Sequence, residues 1–311
     1  MAERRVIAVV GPTATGKSAL ADALAKQYDS CVISADSMQI YRGLDVGTAK
    51  TKPQQQSIPH YGIDIVDLSE AYSAAQFQEY ARERIDHSHK QGRIPVLCGG
   101  TGLYVRAALD QMHFPAGGQL DNEVRQRWER FLREHGEAAL FSELSVRDPK
   151  SAGILDVANH KRVIRALEMH ESGDSYYEQA IRFKNRVALY PTCYIGLNVA
   201  REELYRRIDS RVDRMIENGL VEEASSLKEA GLASTYTAQH AIGYKELFRA
   251  FEGECSIEEA VEDIKRHSRQ YAKRQLTWFR SDSRIQWIDA TDKSREALMH
   301  EAVRIVDETF V

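Results

Sequence analysis

Cysteine is scarce in this sequence, and the few that occur are not grouped. Only four are present among 311 residues, and no two have the C-x-x-C spacing of a zinc ribbon or a redox pair. They are Cys31, Cys98, Cys193 and Cys255, each in or next to an apolar segment. A disulfide framework and a cysteine-held zinc site are therefore not expected, and buried thiols are the simpler interpretation.

Long hydrophobic runs and a large excess of one charge are also missing. No apolar stretch approaches the roughly 20 residues that a membrane-spanning helix needs, and the chain runs from Met1 into a strand pattern without signal-peptide features. The net charge of −4 argues against a uniformly basic nucleic-acid binder, although a basic face on an acidic body is still possible. These absences predict a cytoplasmic protein without a membrane partner.

Short apolar runs alternate with amphipathic segments over the first hundred residues. The strand candidates are 6–10, 31–34, 63–66 and 94–98, and the helix candidates are 18–27, 74–90 and 103–110. Alternation of this kind predicts an α/β fold, in which a parallel sheet is flanked by helices. Ligands of such sheets bind at the carboxyl ends of the strands.

The pattern changes at about residue 114, where a breaker cluster occupies 115–118. The segments 123–135, 137–144 and 160–172 then have helical periodicity and many charges. We therefore predict an all-helical insertion at 114–187, between core segments 1–113 and 188–311. The second core segment contains strand candidates at 194–198 and 284–288, and helix candidates at 201–218, 220–230, 241–251 and 257–280. Gly219 and Gly231 lie where helix ends use a left-handed residue.

Residues 11–18 read Gly-Pro-Thr-Ala-Thr-Gly-Lys-Ser, between an apolar strand pattern and a helix pattern. This G-x-x-x-x-G-K-[ST] loop directs successive backbone N–H groups at a phosphate, and the helix N-terminus adds to their field. Lys17 can reach the outer phosphate oxygens, and the Ser18 hydroxyl is placed to ligate Mg²⁺. The loop alone does not reveal which phosphate compound it holds.

Asp36 follows the second strand candidate directly, so it should lie beside the phosphate loop. Its carboxylate could ligate magnesium or take a proton from an attacking group. The alternative is a structural role, in which the side chain caps a turn of the loop. A second glycine-rich turn, Cys98-Gly-Gly-Thr101-Gly-Leu-Tyr, would place the Thr101 hydroxyl toward a ligand or only pack a helix on a strand.

Basic side chains concentrate on a few helix candidates. Arg207, Arg211 and Arg214 share one face, either as part of a solvated, ion-paired surface or with one guanidinium facing the phosphate loop. The segments 160–168 and 265–280 combine cations on one side with apolar residues on the other. That pattern is usual for surface helices and by itself is weak evidence for RNA binding.

Taken together, these motifs resemble the tRNA dimethylallyltransferases of the IPP transferase family. The likeness runs in order along nearly the whole chain, through the segments 11–18, 36–50, 92–104, 161–168, 207–223, 242–246 and 273–280. It implies a P-loop NTPase-like core, and transfer of a dimethylallyl group from dimethylallyl diphosphate to N6 of the adenosine 3′ to the anticodon. It also implies that Mg²⁺ assists and that ATP is not the substrate. A monomer that binds the anticodon stem-loop of tRNA is expected.

The resemblance assigns roles to individual residues. It implies that Asp36 accepts the N6 proton, that Thr101 steadies the reacting centre and that Arg211 is directed at the diphosphate. The implied diphosphate-binding residues are Gly11, Thr13, Ala14, Thr15, Gly16, Lys17 and Ser18, with Ser18 as the metal ligand. The implied tRNA contacts are Asp36, Ser37, Met38, Gln39, Thr101, Arg125, His160, Lys161, Arg162, Val163, Ile164, Arg165, Gly243, Tyr244 and Lys245.

Two other functions remain as alternatives. A small-molecule kinase could use ATP on the same loop, although the strand candidates at 96–98 and 196–198 are not followed by the acidic residue that such a kinase would use for magnesium. Asp64 or Asp67 could be proposed in its place. A nucleotide-switched RNA-binding protein without transfer chemistry is the third possibility.

Overall fold

A parallel six-stranded sheet lies at the centre of the fold. The computed structural model describes residues 4–51, 54, 56–114, 123–231 and 238–311. Within these residues the strands are β1 (Val6–Val10), β2 (Val32–Ser34), β3 (His60–Tyr61), β4 (Val96–Gly99), β5 (Thr192–Asn198) and β6 (Ile285–Asp289). They are ordered β3-β2-β4-β1-β5-β6, and every pair is parallel. The α/β fold predicted from the alternating pattern is confirmed.

Helices account for most of the remaining described chain. They are α1 (Lys17–Gln27), α2 (Ala74–Lys90), α3 (Gly102–Leu109), α4 (Glu123–Arg147), α5 (Pro149–Ala152), α6 (His160–Glu171), α7 (Tyr176–Lys184), α8 (Arg201–Glu217), α9 (Leu220–Glu229), α10 (Tyr244–Phe251), α11 (Ile257–Arg280) and α12 (Arg295–Thr309). A short 3₁₀ turn, Ala238–His240, precedes α10. Gly219 and Gly231 have φ angles of 93° and 89°, which confirms the left-handed residues predicted after α8 and α9.

Apolar side chains of the sheet belong to two separate hydrophobic cores. Val6, Ala8 and Val10 of β1 belong to one buried cluster, and Ile7 and Val9 belong to the other. This alternation follows from the two-residue period of a strand, and it requires helices on both faces because neither side is polar. The central strand is thereby buried on both faces, so the loop that follows it rests on a rigid base.

The chain divides into two compact units. One contains the segments up to Leu109 and from Ala188 onward, and the other is Asp110–Val187. Helices α4 to α7 form the second unit, around a core that includes Trp128, Leu140 and Leu167. Helix α4 contains a non-helical residue, Gly136, at the point where the sequence predicted a break between two helices. The breaker cluster at 115–118 lies outside the described residues.

One predicted strand is wrong. Residues 63–66 do not join the sheet, and the third strand is the shorter segment His60–Tyr61. Ile65 and Val66 instead donate backbone hydrogen bonds to the Ile40 carbonyl, at 2.8 and 3.0 Å. Asp64 has a φ of 54°, which breaks the extended backbone just before these contacts. The apolar run is therefore used to fasten the loop after β2.

Among the described residues, no helix has the length and apolarity to cross a membrane, and no group of three or more His, Cys, Asp or Glu side chains could hold a metal ion by itself. Cys31, Cys98 and Cys193 are buried free thiols, as predicted, and Cys255 is half-buried.

Candidate active site

Three loops meet at the carboxyl end of the sheet, after β1, β2 and β4. The Thr101 hydroxyl oxygen accepts a hydrogen bond from the Ser37 amide at 3.0 Å, and the Thr101 amide donates to the Ala35 carbonyl at 3.2 Å. A Cβ on Gly99 would lie 2.2 Å from the Ala35 carbonyl oxygen, so the close approach of the end of β4 to the loop after β2 requires glycine. We call the space lined by these loops and by α8 and α11 the cleft.

The phosphate loop has the backbone that its glycines predict. Gly11 has a φ of 134°, and a Cβ there would lie 2.6 Å from the Leu197 carbonyl oxygen on the neighbouring strand. Gly16 has a φ of 93°, and its carbonyl accepts a hydrogen bond from the Leu20 amide in the first turn of α1. The Thr15 hydroxyl is buried and donates to the Pro12 carbonyl at 2.9 Å. Gly11 and Thr15 thus shape the loop, and the diphosphate contact predicted for Thr15 stays a prediction.

Thr13, Lys17 and Ser18 line the cleft itself, and Ala14 and Gly16 line a groove on the other side of Lys17. The Lys17 ammonium donates to the Pro12 carbonyl. The pKa of Lys17 is lowered to about 8, mainly by burial and in smaller part by the nearby Arg211 guanidinium, while Cys98 and Asp36 oppose the shift. A buried cation of this kind favours an anionic partner.

Helix α8 brings one of its three candidate arginines into the cleft. Arg211 donates to the Thr48 carbonyl at 3.4 Å, and burial lowers the pKa of its guanidinium while the Asp36 carboxylate raises it. Arg207 is held by Glu203 at 2.6 Å and by the Thr291 carbonyl at 2.7 Å. The ion-paired surface interpretation therefore fits Arg207, whereas Arg211 lies beside Lys17 and Asp36.

Asp36 combines the two roles that its position suggested. Its Oδ1 accepts from the amides of Met38 at 2.9 Å and Gln39 at 3.4 Å, so the side chain does stabilise a turn. The residue is only partly buried, and it lines the cleft together with Lys17 and Arg211. The turn fixes the orientation of the carboxyl group beside the cleft.

Gln275 on α11 is a site residue that the sequence motifs do not indicate. Its Oε1 accepts from the Thr13 amide at 2.9 Å, and its Nε2 donates to the Gly100 carbonyl at 3.0 Å. The side chain is 5% exposed and ties the phosphate loop to the glycine-rich turn after β4. A glutamine among the basic residues of the segment 265–280 was the available signal.

One wall of the cleft is apolar. Its side chains come mainly from α8 and from the turn before α10, with one each from α9, α11 and the loop after β2, and they are Met38, Ile208, Val212, Met215, Leu220, Ala241, Ile242 and Ile264. Thr13, Asp36 and Arg211 lie along the same cavity. The cleft therefore has a cationic end at the phosphate loop and an apolar wall beyond it.

Comparisons with known proteins agree with this geometry. The profile of the IPP transferase family matches residues 39–282. The chain belongs to this family. It is 45% identical over 303 residues to the tRNA dimethylallyltransferase of Kocuria rhizophila, which covers 97% of the chain and 95% of the relative. It is 43% identical over 300 residues to that of Geobacillus thermodenitrificans, covering 96% of the chain and 95% of the relative.

Solved IPP transferase structures are similar over nearly the full chain. The full-length tRNA isopentenylpyrophosphate transferase of Bacillus halodurans has a TM-score of 0.73 at 40% identity, covering 99% of this chain and 97% of that one. A eukaryotic dimethylallyltransferase, described as acting on tRNA, has a TM-score of 0.83 at 28% identity, covering 98% of this chain and 79% of that one. The similarity therefore includes both compact units.

The residues that the family resemblance assigns to tRNA binding differ in solvent exposure. Ser37, Met38, Gln39, Thr101 and Lys245 are partly buried and lie on the loops around the cleft, while Lys161 and Arg162 are exposed and His160 and Arg165 partly exposed on α6. Four other predicted positions are buried, and their tRNA contacts stay predictions. Val163 and Ile164 are 0% and 2% exposed in the core of the second unit, and Tyr244 is fully buried. Arg125 is 9% exposed and is paired with Glu129 at 2.9 Å.

Gly243 is also buried, and its amide donates to the Glu246 carboxylate at 2.8 Å. Glu246 itself is 1% exposed and accepts from His267 at 2.6 Å. The turn 243–245 is thereby held at the cleft margin, with Lys245 partly exposed beside it. Its predicted tRNA contact is available through Lys245.

Proposed function

We propose that this protein transfers a dimethylallyl group from dimethylallyl diphosphate to N6 of the adenosine 3′ to the anticodon in tRNA. The observation that carries the proposal is a single cleft in which Lys17, Arg211 and Asp36 meet beside an apolar wall. The family membership and the names of the relatives support the same reaction. The N6–C1 bond forms, the C1–O bond to diphosphate breaks, and the amine loses one proton.

The leaving diphosphate would bind at the cationic end. Loop amides, Lys17 and Arg211 offset the negative charge that accumulates as the C1–O bond breaks, which is the main obstacle to departure. Magnesium fits there as well. The Ser18 hydroxyl lines the cleft with the carboxylates of Asp22 and Asp36, and magnesium on a diphosphate needs few protein ligands because it keeps several waters. When bound, it would neutralise part of the diphosphate charge.

The five-carbon group would lie against the apolar wall. Contact with side chains such as Val212, Met215 and Ile264 removes water from the allylic carbon, which protects a reactive, electron-poor centre from hydrolysis.

Asp36 would take the proton. Because its Oδ1 is held by two backbone amides, the carboxyl group is fixed in orientation, and Oδ2 can accept the N6 proton as the new bond forms. Thr101 supports this loop through the Ser37 amide, so it positions the reacting centre. The adenine must leave its stack to reach the cleft, which is the usual requirement for chemistry on a base.

Incubation with radiolabelled dimethylallyl diphosphate and unmodified tRNA tests the proposal. We expect label in the RNA, together with an increase in the mass of one of its adenosines by that of a dimethylallyl group in place of a hydrogen. Phosphate transfer from labelled ATP at a comparable rate would favour the kinase, and RNA binding without label in RNA would favour the nucleotide-switched binder. A cytoplasmic location and a monomeric state remain predictions, and light scattering after size-exclusion chromatography checks the second.

A further inference from the structure

The carboxylate of Glu223, on α9, accepts hydrogen bonds from several converging donors. Its Oε2 accepts from the amides of Asp45 at 3.2 Å and Val46 at 2.9 Å. Its Oε1 accepts from the amide of Gly47 at 3.2 Å and from the Tyr244 hydroxyl at 2.6 Å. Three successive backbone amides and a buried phenol therefore converge on one side chain.

This arrangement matches the capacity of an ionised carboxylate. Two oxygens offer about four lone-pair sites, and four donors fill them. Three successive N–H groups pointing inward form a backbone nest, which is an anion-binding geometry. Glutamine has nearly the same shape, but its amide nitrogen would face donors with another donor. The site therefore requires the charge of Glu223 and not only its volume.

Close packing adds to the constraint on the same bend. A Cβ on Gly47 would lie 2.6 Å from the Tyr244 hydroxyl oxygen and 2.7 Å from its ring. The ring of Tyr244 is fully buried, so it cannot move aside without disturbing the core. The hydrogen bonds to Glu223 and the close contact with Tyr244 together constrain the backbone of residues 45–47.

The next residue connects this bend to the cleft. The Thr48 carbonyl accepts from Arg211 at 3.4 Å and from the Gln39 side chain at 3.2 Å. We propose that Glu223 is a positioning residue, which fixes residues 45–47 so that the Thr48 carbonyl holds Arg211 toward the phosphate loop. The proposal rests on the proposed function, because it assigns Arg211 to the diphosphate.

A purely structural anchor is the competing explanation. Lys50 already fastens the same loop, since its ammonium contacts Asp45 at 2.9 Å, Asp64 at 2.5 Å and the Tyr41 carbonyl. If Glu223 only added stability, its loss would lower the melting temperature and leave the orientation of Arg211 unchanged. The two explanations differ in whether Glu223 and Arg211 act on the same ligand.

A double-mutant cycle separates them. Binding of inorganic diphosphate is measured by calorimetry, well below the melting temperature, for the wild type, Glu223→Gln, Arg211→Ala and the double variant. We expect Glu223→Gln to weaken binding by about 10-fold in the wild-type background and by less than about 2-fold when Arg211 is already alanine. Glu222→Gln is the matched control, because Glu222 is the adjacent exposed carboxylate on α9, and it should bind as the wild type does.

Equal weakening in both backgrounds, or no weakening in either, would overturn the positioning role. A wild type that does not bind diphosphate would reject the proposed function instead. The positioning claim is then decided by the reactivity of Arg211 toward phenylglyoxal, read by peptide mass. Faster modification of Arg211 in Glu223→Gln than in the wild type, with no such change in Glu222→Gln, supports the positioning role. Equal rates in the wild type and both variants contradict it.

Discussion

At the residue scale, the partly buried Lys17 gives diphosphate binding a pH dependence. Its pKa is lowered to about 8, and a diphosphate binds its charged form. Affinity for inorganic diphosphate should therefore be level with respect to this group below about pH 7, and it should fall by up to about tenfold per pH unit above pH 8, as the proton is lost. Calorimetry between pH 7 and 9.5 checks this.

Lys17→Arg is the control, since a guanidinium stays charged throughout this range. Its absolute affinity differs because the geometry differs, but its profile above pH 8 should be flatter. A wild-type profile that matches the arginine variant would mean that the ammonium of Lys17 does not contribute to binding.

Asp36 gives the second prediction for a single residue. Asp36→Asn retains Oδ1, so the hydrogen bonds from the Met38 and Gln39 amides and hence the turn should persist. The base is lost, and the single-turnover rate at saturating tRNA and donor should fall by about 10²–10⁴, with smaller changes in affinity. Asp67→Asn removes an exposed carboxylate paired with Arg42 and should retain the wild-type rate. Near-normal turnover of Asp36→Asn would restrict Asp36 to holding the turn.

At the scale of elements, capping residues mark the start of two helices that the local sequence predicted. Helices α2 and α11 have the predicted bounds, and both begin with a capping box, Ser73 with Gln76 and Ser256 with Glu259. The strand predicted at 63–66 is wrong because the apolar side chains of this segment are buried by contacts with a loop and not within a sheet. Burial was readable from the sequence, but the tertiary partner that supplies it was not.

The same limit applied to the candidate site. The phosphate loop and Asp36 are visible because their motifs are local in the chain. Gln275 is bonded to Thr13, 262 residues away, and Glu223 is bonded to Val46, 177 residues away. Neither contact has a local pattern, since each is created only when α11 or α9 packs beside the sheet.

Helix α6 should divide its two central arginines between structure and RNA. Arg165 contacts the buried Glu168 at 3.5 Å, whereas Arg162 is exposed. Arg162→Ala should reduce the slope of log binding constant against log salt concentration for tRNA by about 0.7–0.9. The melting temperature should not change. Arg165→Ala should instead cost about 1–2 kcal/mol of stability, because Glu168 loses one of its two arginine partners.

Filter binding between 50 and 200 mM salt and thermal melts measure both effects of α6. Lys26→Ala provides a control, since it removes an exposed cation from the last turn of α1 without touching α6. An unchanged salt slope in Arg162→Ala would remove α6 from the tRNA-binding surface.

At the scale of the whole molecule, the inserted unit leaves and rejoins the core at neighbouring points. The Leu189 amide donates to the Leu109 carbonyl at 2.7 Å, and within the other unit the Gln111 amide donates to the Val187 carbonyl at 2.8 Å. Both compact units have their own buried apolar core. A chain break at this junction therefore requires little rearrangement of the sheet.

Replacing residues 110–187 by a short glycine-serine linker should consequently leave a folded core, because the hydrogen-bonded ends at Leu109 and Leu189 are already within linker reach. Lys17, Arg211 and Asp36 all belong to that core, so its affinity for inorganic diphosphate should stay within about threefold of the wild type, with tRNA affinity reduced at least about tenfold as phosphate contacts are lost. Circular dichroism, calorimetry and filter binding give the three readouts. The Arg211→Ala variant of the shortened chain is the control for specific diphosphate binding. A folded core that retains full tRNA affinity would place tRNA recognition entirely on the loops and helices around the cleft.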